Sequence, residues 1–291
     1  MTTFPANQNV YQRITDQVIA AVDAGALTFT MPWHQGHPRP VNVASGNPYR
    51  GINTVNLWIA QQLHDYTTGT WGTYRQWQAH GAQVRKEERA TAIIFFKNLE
   101  REDLTKPSFI AVTSSVFNAD QVDGYTAPIH AVDKTQVLAQ VETFIAATAA
   151  QIKEQGTRAY YRALDDAIYM PPRALFTGSA TRSATESYYS TLLHELTHWT
   201  GHPARLKRDF QNRFGEAAYA MEELVAELGA AFLCADLGIT LEPRPDHAAY
   251  IQSWLSVLKQ DKRAIFTAAN QASAASDYLL TLQPQPLEHA A

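Results

Sequence analysis

The sequence predicts an α+β protein of two domains, 1–130 and 131–291. Its first half is rich in Trp, Asn, Gly and Pro and contains short apolar runs typical of strands. Its second half has apolar residues at helical spacing, and the two patterns meet near 123–132. A chain of 291 residues is long enough for two domains of ordinary size.

The first domain is predicted to be α+β. A helix is expected from Asn7 to about Ala24, because apolar residues recur at helical spacing, namely Val10, Ile14, Val18 and Val22. The stretches RATAIIFFKN and SFIAVTSSVFN are typical of buried strands, and the charged turn LEREDLTKP separates them.

The second domain is predicted to be mainly helical. A capping-box pattern at Asp133 starts a helix that continues to about 154, and RAYYRALDDAIYMPP contains one or two short strands. A second capping box, SATE, precedes a histidine-rich helix that Gly201 and Pro203 end. Further helices are predicted at about 215–237, at HAAYIQSWLSVLKQ and at AIFTAANQASAASDYLL.

The composition indicates a globular protein with an apolar core, since 45% of its residues are hydrophobic and 18% are charged. Its single cysteine cannot form a disulfide within the chain, which indicates a reducing cytoplasm. The sequence has no basic start followed by an apolar run, and no stretch of about 18 apolar residues that would span a membrane. The net charge is −4, and 1–130 is neutral, which by itself does not favour nucleic acid as a partner.

The segment LLHELTHWTGH contains the pattern His-Glu-x-x-His. His194 and His198 would project from one helix face, where both can bind one tetrahedral ion. Glu195 could then take the proton of a metal-bound water as that water attacks a carbonyl. The alternative is a helix with half-buried histidines, but a pair at this spacing on a capped helix favours a metal site.

Two candidates compete for the third ligand. One class of zincins uses a histidine ten residues after the first, but Ala204 stands there, and His202 is out of phase with both ligands. Glu223 and Glu227 lie one turn apart on an apolar helix, and buried carboxylates require a cation or donors. Glu223 is therefore predicted as the ligand and Glu227 as the acid that orients a ligating histidine, whereas Glu222 points about 100° away.

One divalent metal ion is the expected cofactor. Two histidines and a carboxylate suit Zn²⁺, the ion we expect, but also Mn²⁺, Fe²⁺ or Co²⁺. Gly229, on the same helix as Glu223, would let the helix that carries His194 approach closely.

In the first half, aromatic side chains alternate with basic and amide side chains. Such residues could stack on unpaired bases and hold phosphates, which makes single-stranded DNA a candidate partner. The candidate DNA contacts are Trp33, Tyr49, Arg50, Asn53, Trp71, Tyr74, Arg75, Trp77, Arg85 and Lys86. The alternative is an ordinary core with a turn at GNPYRG, and composition alone favours that alternative.

The second half resembles the C-terminal domain of the ArdC-type antirestriction proteins in TLLHELTHWTGHPARLKRD, EELVAELGAAFL and YIQSWLSVLKQDKRAIFTAA. HELTH with a later Glu-x-x-x-Glu helix also resembles the gluzincin metallopeptidases, whose first helix glutamate is a metal ligand. The resemblance implies a zincin-like metallopeptidase domain in 131–291. In such folds an edge strand beside the motif helix receives extended substrate, and DDAIYMPPRALF is the candidate for that strand.

The first half resembles the N-terminal domain of the same family, also found in some plasmid primases, in PWHQGHPRPVNVASGNPYRGINTVNLW, WGTYRQWQAHGAQVRK and VFNADQVDG. The resemblance implies non-specific binding of single-stranded DNA and protection of incoming plasmid or phage DNA, as in conjugation, from host restriction endonucleases. In one departure, the glycine usual in the Val-Arg-Lys-Gly turn is Glu87 here, followed by Glu88. Two acids in this turn could weaken DNA binding.

Three functional hypotheses remain open from the sequence. The chain is a DNA-binding antirestriction protein with a structural or vestigial metal site, a peptidase that DNA recruits to a host protein, or a metallopeptidase whose first domain binds protein.

Overall fold

The computed structural model describes residues 10–25, 31–34, 36–99, 108–126, 134–179, 182–208, 216–241 and 247–284. The chain divides into two compact units, which are Met1–Ala20 with Arg39–His130, and Ala21–Pro38 with Ala131–Ala291. The predicted α+β class and two-domain organisation are confirmed. Segment Ala21–Pro38 groups with the second unit, whereas the sequence pattern predicts it in the first domain.

The first unit is built around a four-stranded sheet. In chain order its elements are α1 (Val10–Gly25, which ends in the second unit), β1 (Val41–Asn42), α2 (Ile52–Leu63), β2 (Thr70–Gly72), α3 (Tyr74–Ala79), β3 (Gln83–Val84), β4 (Thr91–Leu99), β5 (Ser108–Asn118) and β6 (Val122–Asp123). The strand order is β1-β2-β5-β4, with β1 and β2 parallel and the other pairs antiparallel, while β3 pairs with β6.

The predicted strand pair is confirmed as β4 and β5, which pair from Thr91 with Val116 to Leu99 with Ser108. They are not buried on both faces, since Ile94 is 3% exposed and its neighbour Phe95 is 46% exposed. The predicted turn between them lies outside the described residues, except for Leu99. Helix α1 confirms the first predicted helix, although Asn7 also lies outside the described residues.

The second unit combines five helices of the described ranges with a small sheet. Its further elements are α4 (Lys134–Ala147), β7 (Gln151–Glu154), β8 (Tyr160–Arg162), β9 (Ala167–Met170), α5 (Ala184–Thr200), α6 (Glu216–Leu237), α7 (His247–Gln260) and α8 (Ala264–Thr281). These bounds confirm the predicted capped motif helix and the three helices that follow it. None of the described helices has the length and apolar character that crossing a membrane requires.

The predicted helix from Asp133 to about Glu154 is wrong at its C-terminal end, and Asp133 lies outside the described residues. The helix ends at Ala147. The hydroxyl of the next residue, Thr148, donates to the Ile145 carbonyl at 2.7 Å and accepts from the Ala150 N–H at 3.2 Å. The next residues form β7, which pairs in parallel with β9. Tertiary strand pairing therefore overrides local helix propensity here.

The predicted substrate-binding edge strand is also wrong. DDAIYMPPRALF contains β9, which lies in the middle of the sheet order β7-β9-β8 and has both neighbours hydrogen-bonded. The edge strand that packs against α5 is β8. The sequence could not distinguish the two, because both strands come from one short hairpin.

Helix α5 begins as predicted. The Ser183 hydroxyl accepts from the Glu186 N–H at 3.1 Å, and the Glu186 carboxylate accepts from the Ser183 N–H at 2.9 Å. The helix ends at Thr200, and Gly201 follows it as predicted, but Gly201 has φ −76° and so does not adopt the left-handed conformation. Helix α6 does end in this way, because Gly238 has φ +71° and the chain then turns away.

Helices α5 and α6 approach closely at Gly229, as predicted. A Cβ atom at this position would lie 2.5 Å from Cγ2 and 2.8 Å from Oγ1 of Thr197, which is fully buried on α5. Glycine is therefore required here by the spacing of the two helices.

We predict that Gly229→Ala lowers the free energy of unfolding by about 1–2 kcal/mol, because overpacking outweighs the gain in helix propensity. Urea denaturation measures the change. Thr197→Ala removes the two closest atoms, so the double variant should recover much of the loss relative to the sum of the single variants. Strict additivity of the two substitutions would contradict the steric explanation.

Candidate metal centre

Three side chains of α5 and α6 converge on one point. The ligand atoms of His194, His198 and Glu223 all lie within 4.8 Å of one another, and the three residues are buried. Nε2 of His194 is 3.5 Å from Oε2 of Glu223, and Nε2 of His198 is 3.5 Å from Oε1. Ligands bound about 2.1 Å from a tetrahedral ion lie roughly 3.4 Å apart, so this spacing fits such an ion.

The polar atoms of His194 support the same interpretation. Both its ring nitrogens are buried and have no hydrogen-bond partner among the described residues. A buried nitrogen without a partner is unfavourable, and a cation would satisfy Nε2. The residues present therefore fit a divalent ion.

Charge within the cluster keeps its carboxylates ionised. Burial would raise the pKa of Glu223, but the close polar contacts of its carboxylate with the rings of His194 and His198, and the positive charge of those rings, lower it far below the usual range. Burial would likewise lower the pKa of His198, but hydrogen bonds to Glu222 and Glu223 and their charges raise it to about 10. A metal ion would therefore replace a proton that His198 otherwise holds.

The acid that contacts His198 was missed by the sequence analysis. Oε1 of Glu222 lies 3.0 Å from Nδ1 of His198, and this buried carboxylate also accepts from the Arg208 guanidinium at 3.0 and 3.2 Å. Glu222 projects from α6 at a different angle from Glu223. His198 lies one turn after His194 on α5, and its ring directs Nε2 towards Glu223 and Nδ1 towards Glu222. The signal available in the sequence was an acidic residue, Glu222, directly before the predicted ligand Glu223 on an apolar helix.

Glu227 lies beside the other histidine. Its Oε2 is 3.8 Å from Nδ1 of His194, and its side chain is 1% exposed. Its Oε1 is 2.5 Å from Nε2 of His34 and accepts from Nε1 of Trp33 at 3.2 Å. The prediction that Trp33 contacts DNA is wrong, because this side chain is 4% exposed and is bonded inside the second unit.

Glu195 lies where a general base could act. It is 3% exposed and, together with the three candidate ligands, lines a cavity of about 730 Å³. The β8 residues Tyr160 and Tyr161 also line this cavity, as do Tyr219 and Tyr250 from α6 and α7. His202 lies outside the three-ligand group, and its Nδ1 accepts from the Ala204 N–H at 3.2 Å.

Three further candidate DNA contacts have structural roles in the first unit. Trp71 and Trp77 are fully buried, so the prediction that their faces stack on bases is wrong. Asn53 donates to the Ile94 carbonyl at 2.6 Å and accepts from the Ile94 N–H at 2.8 Å. It thereby bonds the outer backbone edge of β4, where no other strand of the described residues pairs.

The remaining candidates reach the surface to different degrees. Tyr49 is half-buried against the cluster around Trp71, whereas five of the candidates are exposed, namely Arg50, Tyr74, Arg75, Arg85 and Lys86. Arg85 is bonded to Glu88 at 2.9 Å and lies 3.7 Å from Asp123. That these residues contact DNA stays a prediction.

Backbone geometry explains the departure at Glu87. This residue has φ +70°, a left-handed conformation that glycine adopts without penalty and that a side chain with a Cβ disfavours. A glycine at this turn position would adopt the left-handed conformation without penalty. This chain has the same conformation with a glutamate, Glu87, in place of that glycine.

We predict that Glu87→Gly raises the free energy of unfolding by about 0.5–1 kcal/mol, because it removes the Cβ from a left-handed residue. Thermal denaturation measures the change. Glu87→Ala is the matched control, since it removes the same charge and keeps the Cβ. Equal stabilisation by both variants would assign the effect to charge and contradict the backbone explanation.

Comparisons with known proteins agree with this geometry. Residues 8–143 match the N-terminal domain of the anti-restriction factor ArdC, and 139–271 match the zincin-like metallopeptidase family. An uncharacterized protein y4eC of Sinorhizobium fredii is 44% identical over 93% of this chain and 91% of its own length. A DNA primase TraC of Escherichia coli is 35% identical over 96% of this chain, which spans 28% of that primase.

The solved structures that resemble the chain include two of one protein. The antirestriction ArdC protein of plasmid R388 is 40% identical in its metal-free crystal structure and 41% in its Mn(II)-bound one. Each alignment covers 94% of this chain and 98% of that chain, with TM-scores of 0.78 and 0.79. The chain therefore belongs to the ArdC family of antirestriction proteins and carries a zincin-like metallopeptidase domain.

Proposed function

We propose that this antirestriction protein binds single-stranded DNA through its first unit and protects incoming plasmid or phage DNA from host restriction endonucleases. Its second unit holds one divalent ion, Zn²⁺ or Mn²⁺, on His194, His198 and Glu223. The observation that carries the metal site is the 3.5 Å spacing between each histidine Nε2 and a Glu223 oxygen.

The same centre has the groups that peptide hydrolysis requires, and each group would have one role. When bound, a divalent ion acidifies water and polarises a carbonyl. Glu195 takes a proton from the attacking water and returns it to the leaving amine. Glu222 accepts a hydrogen bond from Nδ1–H of His198, so the neutral ring keeps its proton on Nδ1 and its Nε2, on the side of Glu223, is free to bind the ion.

Support for DNA binding comes from the exposed side chains of the first unit and from the family. Arg50, Arg75 and Lys86 are exposed cations, and Tyr74 is 43% exposed. Exposed cations and aromatic rings of this kind bind phosphates and stack on unpaired bases. The similarity to a TraC DNA primase over most of the chain agrees with a role on DNA.

A second candidate function is cleavage of a host protein. The cavity beside Glu195 is bordered by β8, whose outer backbone edge is not paired within the three-stranded sheet. An extended peptide could bind such an edge by main-chain hydrogen bonds. In this alternative the first unit delivers the peptidase to its target.

Two sets of variants of the full chain distinguish these functions. We expect Arg75→Gln with Lys86→Gln to weaken binding to a labelled single-stranded oligonucleotide. If both residues contact phosphates, the negative slope of log affinity against log salt concentration should become shallower by about 1.4. We expect Glu195→Gln to leave DNA binding and protection in a restricting host unchanged.

Lys259→Gln is the matched control for the DNA-binding variants, since it removes an exposed cation from α7. An unchanged salt slope in the double variant would contradict the assigned DNA surface. Loss of protection in Glu195→Gln, with intact metal and DNA binding, would instead support the host-protein peptidase.

A further inference from the structure

A short segment far from the motif in sequence packs against the candidate metal centre. The 3₁₀ helix Pro32–His34 contacts α6 and lies in segment Ala21–Pro38 of the second unit, whose other segment begins at Ala131. Trp33 is 4% and His34 is 5% exposed. Burying a polar histidine and an indole N–H requires partners for both, and the partner they share is Glu227.

The hydrogen bonds of His34 determine where its proton lies. The Met31 N–H donates to Nδ1 of His34 at 2.9 Å, so Nδ1 is an acceptor without a proton. The neutral ring therefore carries its proton on Nε2, which donates to Oε1 of Glu227 at 2.5 Å. The Trp33 Nε1–H donates to the same oxygen at 3.2 Å.

Two donors, Trp33 and His34, hold Oε1 of the Glu227 carboxylate. Its second oxygen, Oε2, faces Nδ1 of His194 at 3.8 Å, and that nitrogen is buried without a hydrogen-bond partner. A small shift would bring the two atoms to hydrogen-bond distance. A carboxylate at Nδ1 would keep the proton there and leave Nε2 free to bind an ion.

We propose that Trp33 and His34 are positioning residues of the metal centre, which act on His194 through Glu227. The arrangement parallels the one at His198, where Arg208 holds Glu222. Each candidate ligand histidine thus faces a buried acid, and each acid is held by donors from another part of the chain. This inference rests on the proposed metal site.

The test measures the affinity of the full chain for Zn²⁺ and for Mn²⁺ by competition with a chromophoric chelator. We expect His34→Phe, which keeps an aromatic ring and removes the donor, to weaken binding by about 10-fold. Trp33→Phe should cause a smaller loss. His34→Gln, which keeps an N–H donor, should recover part of the affinity. His202→Gln is the control histidine outside the site and should change nothing.

A double-variant cycle separates positioning from general destabilisation. The single variant Glu227→Gln should weaken metal binding. Adding His34→Phe to it should cause no further loss of affinity, because the effect of His34 passes through Glu227. The metal-induced rise in Tm should shrink in the His34 variants, whereas a purely structural role would lower the Tm of metal-free and metal-loaded protein equally.

Two outcomes would overturn the inference. They are wild-type affinity in all three variants of Trp33 and His34, and an equal loss from His34→Phe with and without Glu227→Gln. If the wild-type chain binds neither ion, the proposed metal site itself fails, and the positioning role fails with it.

Discussion

The close packing of α5 against α6 places three ionisable side chains in the interior, and much of the second unit follows from that constraint. His194, His198 and Glu223 are removed from water, where isolated charges would be very unfavourable. Their positions are compatible because Gly229 lets the helix axes approach over Thr197, one residue before His198. A bulkier residue at 229 would separate the candidate ligands, which lie on different helices.

The support around the cluster extends well beyond the motif. Each histidine that faces Glu223 with Nε2 faces another acid with Nδ1, at 3.0 Å for His198 and at 3.8 Å for His194. Donors from outside the motif helix hold these acids. On one side they come from the segment around Trp33, which falls in the match to the N-terminal ArdC domain, whereas the peptidase match begins at 139. The second unit is therefore discontinuous in sequence.

The first unit shows why aromatic residues in sequence are weak indicators of a binding surface. Trp71 and Trp77 lie in the core, and the indole N–H of Trp77 donates to a backbone carbonyl at 3.0 Å. Their neighbours Tyr74 and Arg75 are exposed, since successive residues of a short helix point in different directions. Residue type could not separate these groups, and Asn53 is likewise recruited to a strand edge.

The sequence by itself determined the local features of this protein. The capping box, the i and i+4 histidines and the apolar face of α6 all depend on spacing within one element, and spacing can be read directly. The tertiary structure decided which elements meet. It placed β9 between two strands, turned Glu222 towards His198, and brought Trp33 and His34 to Glu227. These contacts join residues distant along the chain, and their energies depend on burial and orientation, which residue spacing does not encode.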